Sequence, residues 1–284
     1  MSFSWNLIND IRDMWSLPFM LNAFRAGTVV AALAAVTGWF MVLRGQSFAG
    51  HTLAVVGFPG ASGAVLLGLG AGYGYFTFCM AAAIVIAVVP ATRGAGYAED
   101  SALIGTVQAF ALATGMLFVA LYKGFLGGTS ALLFGSFLGI SRAQVVTLAG
   151  VAVVVLAVLA VLGRPLLFAS VDPDVAAANG VPTRALDVVF LLLLGATAAG
   201  VSQITGALLV FALMVLPAAA AQRLTVRPAL SLAVSVVLAM VTVWLALFIG
   251  YYSPYPIGFW LTSIAFGGYL FASGVDRLRR VVAA

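Results

Sequence analysis

The sequence predicts an all-α integral membrane protein, a polytopic helical bundle of about nine transmembrane helices with one short helix outside the membrane. Three observations carry that prediction. Hydrophobic residues make up 64% of the chain and charged residues 7%, against about 25% charge in a soluble domain. Apolar runs of about 20 residues recur from end to end, the length of a membrane-crossing helix rather than of the alternating strands of a barrel. The few charges fall singly at the ends of those runs, so the net charge of +5 marks topology and gives no reason to expect nucleic acid. Residues 1–284 read as a single transmembrane domain. Within it, 1–18 is an interfacial N-terminal segment, 170–184 a polar segment and 274–284 a tail.

The elements follow in order. Asp10 and Asp13 stand where a secretory signal would be basic, and no cleavage pattern follows. Trp5, Ile8, Ile11 and Trp15 recur at helical spacing, which fits a helix lying in the membrane interface. Spans are expected from Phe19 to Leu43, His51 to Leu69, Tyr73 to Thr92, Ser101 to Tyr122 and Ala143 to Leu162. Four more run from Ala185 to Val201, Ile204 to Ala221, Ala229 to Gly250 and Gly258 to Ser273. Between the fourth and fifth, Gly128 to Ser141 is apolar but too short to cross. It reads as a re-entrant or interfacial helix, with Gly135 and Gly139 permitting close backbone contact.

Small residues line the spans, Gly57, Gly60 and Gly63 in the second and Gly195, Ala199 and Gly206 in the sixth and seventh, and allow close helix approach. Pro59, with Gly60, and Pro217 each interrupt a span and free backbone carbonyls. Such a kink serves either packing or a pathway. The one cysteine, Cys79, excludes an internal disulfide.

Basic residues set the orientation. With Arg277, Arg279 and Arg280 in the cytoplasm, alternation also places Arg44, Arg93, Arg164, Arg184, Arg223 and Arg227 inside. Arg12, Arg25, Lys123 and Arg142 remain outside, and an odd span count puts the N-terminus there too. The polar segment Ser170 to Arg184 then faces the cytoplasm. Its Asp172 suits an N-cap and Pro173 a first helical position. Gly180 suits a left-handed stop, and Pro182 prevents resumption. Two turns are too few to persist alone in water, where about 12 residues are marginal, so this helix is built to dock on something. Val175, Ala176 and Asn179 form its expected contact surface.

Chemistry is sparse. All eight acidic residues lie in loops or near span ends, so proton coupling through buried carboxylates has little to work with. The only histidine, His51, sits near the start of the second span, where an imidazole serves as a metal ligand or as a packing residue. No phosphate-binding glycine loop accompanies the single lysine, Lys123. No nucleophile–base pair is visible either, so the chain carries no catalytic residues and is not expected to be an enzyme. ATP, if used, belongs to a separate subunit.

Four segments resemble the permeases of zinc and manganese ABC importers. Met41-Val42-Leu43-Arg44-Gly45-Gln46-Ser47-Phe48-Ala49-Gly50, continuing to Phe58-Pro59-Gly60-Ala61, resembles their second-span signature. Leu132-Leu133-Phe134-Gly135-Ser136 is similar to their LLFG segment. Val171-Asp172-Pro173-Asp174-Val175-Ala176 to Gly180-Val181 resembles their cytoplasmic coupling element. Gly206-Ala207-Leu208-Leu209-Val210 through Leu216-Pro217-Ala218-Ala219-Ala220-Ala221 is similar to a late span, and the matches run in order from Phe19 to Phe271.

The resemblance implies a homodimeric, multi-pass permease of the bacterial cytoplasmic (inner) membrane with its C-terminus inside. It implies two copies of an ATP-binding subunit and an extracytoplasmic metal-binding protein that delivers the ion. Asp172, Pro173, Val175, Ala176, Asn179 and Gly180 would couple the ATPase to the pathway. The permease would hold no permanent cofactor; a divalent metal would be its cargo.

The chain departs from the family at the pathway. His51 stands where members carry Asp, and Val55 where they carry His. Nitrogen without carboxylate favours zinc over manganese, and two His51 side chains across a twofold axis would give a weak site. Manganese, a metal chelate or another small solute are the alternative cargoes. An ATP-independent channel or carrier is the alternative mechanism.

Overall fold

The computed structural model describes residues 7–88, 97–122, 132–133, 135, 137–207 and 209–283. Among these there is no strand, and eleven α-helices follow one another. They are α1 (Leu7–Ser16), α2 (Pro18–Leu43), α3 (Ser47–Leu66), α4 (Ala71–Val88), α5 (Tyr97–Leu121), α6 (Arg142–Val171), α7 (Pro173–Ala178), α8 (Thr183–Thr205), α9 (Val210–Leu224), α10 (Pro228–Tyr252) and α11 (Ile257–Ala283). A 3₁₀ turn at Phe137–Gly139 precedes α6. Eight helices are long and apolar enough to cross a membrane, and α9 is a shorter apolar helix of 15 residues. Trp5, Arg93, Lys123 and Gly128 to Ala131 lie outside the described residues.

Two helices make the core. α2 starts on Pro18 and stops on Gly45, whose φ of 67° turns the chain as Gln46 N–H returns to the Met41 carbonyl. It is buried on several sides. Against α10 the Trp39 indole donates to Ser231 Oγ at 2.9 Å and Ser235 Oγ to the Ala35 carbonyl at 3.3 Å. Against α8 the Thr37 and Thr197 hydroxyls pair at 3.1 Å. Against α9 the approach is closest, because a Cβ on Gly38 would overlap the Met214 carbonyl. α3 is the second core helix. A Cβ on its Gly60 would strike the Gly74 carbonyl of α4, and one on Gly57 would meet the Tyr75 ring 2.8 Å away. Gly60 and Gly195 lie against the backbone of α4, whereas Gly57 and Gly63 make room for the rings of Tyr75 and Phe118.

Three boundaries differ from expectation, each for a physical reason. The span expected from Ile204 to Ala221 is broken: Gly206 takes φ 76°, so α8 stops at Thr205 and α9 starts at Val210. Leu132, Leu133 and Gly135 dock into that break. The Leu132 carbonyl accepts from Tyr75 Oη at 2.9 Å and from Ala207 N–H at 3.2 Å. Gly135 has φ 78°, and a Cβ on it or on Gly206 would overlap the other strand of backbone. α6 runs beyond the expected Leu162, through Pro165, to Val171. The tail from 274 continues α11, helped by an Asp276–Arg280 pair one turn apart at 2.9 Å.

Candidate functional site

One end of the bundle is defined by the polar segment. Asp172 caps α7, accepting from Val175 N–H at 3.0 Å, with Pro173 in the first position. At the other end Gly180 takes φ 80°, Val181 N–H returns to the Ala176 carbonyl and Gly180 N–H to that of Ala177, both at 3.0 Å. That is the paired bonding of a glycine-terminated helix. Asn179 Nδ2 adds a bond to the Val175 carbonyl at 2.7 Å. Ala176 is fully buried in the core, whereas Val175 is 46% exposed and every other residue from Val171 to Gly180 is exposed. Of the three expected contact residues, Val175 and Asn179 face outward and Ala176 seats the helix on its own chain.

The feet of α7 are gathered by Arg44, which the sequence marks as a topology charge and as part of the second-span signature without naming its contacts. Arg44, just past the end of α2, sends Nη1 to Ser170 Oγ in the last turn of α6 at 3.0 Å and Nη2 to the Asp187 carboxylate near the start of α8. Its guanidinium carbon lies 5.3 Å from the centre of the Phe190 ring. The side chain is 7% exposed. Burial draws its pKa down, and Asp187 opposes that pull by attraction and a hydrogen bond; an arginine so placed stays charged. Asp187 is about half exposed, so solvent screening discounts the pair's net stabilisation and leaves geometry as its main effect. No local pattern pairs positions 143 residues apart.

The same end holds further basic groups. Arg279 Nη1 donates to the Leu224 carbonyl at 2.8 Å, and Arg223 Nη2 to Tyr269 Oη at 3.0 Å. At the opposite end Leu209 packs where a Cβ on Gly258 would sit, and Gly250 faces Ile257.

The passage candidate is His51. From Ala49 to Ala64 every residue of α3 is buried except this one. Its ring meets Phe211 of α9 edge-on at 4.8 Å, and Nδ1 has no hydrogen-bond partner among the described residues. Val55, one turn on, is buried and offers no ligand atom. Thr52 Oγ1 donates to Gln108 Oε1 at 3.0 Å. α3 and α9 run on through Pro59 and Pro217. Among the described residues no group of three or more His, Cys, Asp or Glu could hold a metal.

Known proteins resemble this chain in sequence and in fold. The manganese transport system membrane protein MntC of Halalkalibacterium halodurans is 28% identical over 222 residues, 78% of this chain and 75% of the relative. The chelated iron transport system membrane protein YfeC of Yersinia pestis is 28% identical, covering 82% of this chain and 78% of its own length. The solved structure of PsaBC from Streptococcus pneumoniae in complex with Fab superposes with a TM-score of 0.81 at 25% identity, over 94% of this chain and 95% of the other. The profile of the ABC 3 transport family matches residues 16–275, and the chain belongs to that family.

Proposed function

We propose that this chain is the membrane permease subunit of an ATP-driven importer for divalent metal ions, with zinc as the favoured cargo. The observation that carries the reading is α7, a six-residue helix capped at both ends and exposed everywhere but at Ala176. Its own hydrogen bonds are too few to sustain it, so the caps hold a surface ready for another protein. The transport systems named for its relatives, manganese and chelated iron, support metal as the cargo. The partner that fits α7 is an ATP-binding subunit, two copies serving two copies of this chain, with an extracytoplasmic metal-binding protein delivering the ion. ATP hydrolysis belongs to that subunit.

His51 sets the preference. An imidazole nitrogen without a carboxylate suits zinc better than manganese. Zinc takes about four ligands, so the second copy's histidine, water or backbone carbonyls complete the shell, and a site that weak releases what it admits. Orientation follows the charges: α7's end carries Arg44, Arg184, Arg223, Arg227, Arg277, Arg279 and Arg280, an excess that supports a cytoplasmic side for it and for the C-terminus in a bacterial inner membrane.

The test is metal-dependent ATPase activity of the reconstituted permease, ATPase and binding protein, comparing zinc, manganese and iron. Zinc is expected to stimulate most. Manganese is the second reading, favoured by the relatives' names, and stronger stimulation by manganese would establish it over zinc. Failure to recover an ATPase with the permease overturns the importer itself.

A further inference from the structure

We propose that Arg44 is the positioning residue of the coupling machinery: it fastens both feet of α7 to the central helix α2, so that force on α7 reaches the passage. The inference rests on the reading of α7 as the ATPase contact. α7 touches its own chain through Ala176 and its two connections. A push on it therefore enters the end of α6 and the start of α8. Arg44 reaches both, Ser170 two residues before the Asp172 cap and Asp187 early in α8.

Behind the guanidinium the contacts continue without a gap. Phe190 lies under Arg44, Phe40 meets Phe190 edge-on at 6.5 Å, and Trp39 meets Phe40 at 5.1 Å. The Trp39 indole then bonds Ser231 of α10. One residue earlier, Gly38 lies against the Met214 backbone of α9, the helix whose Phe211 packs on His51. Only a planar fork serves two helices at once; an ammonium is a point charge that cannot span them in the same geometry. Physical contiguity makes the route possible, and coupling must be measured.

The measurement is metal transported per ATP hydrolysed by the complete transporter in liposomes, using whichever of zinc, manganese or iron stimulates hydrolysis most. Arg44→Ala and Arg44→Lys are expected to keep the ATPase bound yet lower that ratio about tenfold, within the usual range of inter-site coupling. Ser170→Ala and Asp187→Asn should each lower it by about threefold, and Ser170→Ala should add nothing on the Arg44→Ala background, because both act through one group. A purely structural role would reduce thermal stability and yield while leaving the ratio unchanged. Should Arg44→Ala fail to fold, Ser170→Ala and Asp187→Asn decide the matter. A wild-type ratio in these variants, with Val175→Glu still uncoupling transport, overturns the role of Arg44 alone. Normal transport and ATPase binding by Val175→Glu overturns the reading of α7 beneath it.

Discussion

His51 stands out on α3 because its neighbours are buried and it is only partly so, with its Nδ1 turned inward. A buried imidazole nitrogen without a partner gives up hydrogen-bond free energy, a cost that a metal in transit would offset. His51→Ala should cut uptake of zinc about tenfold, equivalent to roughly 1.4 kcal/mol, while the protein's melting temperature stays near wild type. Radioactive zinc uptake at limiting zinc would measure this, and unchanged uptake would remove His51 from the passage. The histidine itself was visible in the sequence, being the only one. Its openness was not, since that depends on how α9 lies across the face of α3.

At the scale of an element, α7 shows what a short sequence can specify. Asp172, Pro173 and Gly180 each impose a local backbone state, and all three act as their chemistry requires. Which side faces outward was hidden, because two turns give no reliable apolar stripe and the alanines are alike. Ala176 points inward, so a large residue there would unseat the helix from its own chain. Val175 is the outward probe. Val175→Glu should leave the permease folded and inserted but lower recovery of the ATPase in co-purification by about tenfold, the effect of burying one unpaired charge in an interface. Recovery equal to wild type would mean that α7 does not meet the ATPase.

Whole-molecule organisation was legible where length and apolarity decide it and illegible where distant segments meet. Hydropathy finds the spans, and glycines in α3 announce its closeness to α4. Nothing near Gly206 reveals that Leu132, Leu133 and Gly135 dock there and divide one expected span from its continuation. Nor does either residue of the Arg44–Asp187 pair name the other. Topology can be tested cleanly, because the only cysteine, Cys79, is fully buried. A membrane-impermeant maleimide should label Leu67→Cys in spheroplasts, and Val282→Cys only in inverted vesicles, both sites being well exposed. The reverse pattern would invert the orientation.

The glycines at 135 and 206 have a consequence for how this chain can change under mutation. Each needs a backbone conformation that other residues resist, and each occupies space that a side chain on the other would need. A single replacement at either is therefore blocked twice, by conformation and by volume, and a compensating change at the other cannot relieve the first block. The two glycines therefore have no single-step neutral path away from their present state.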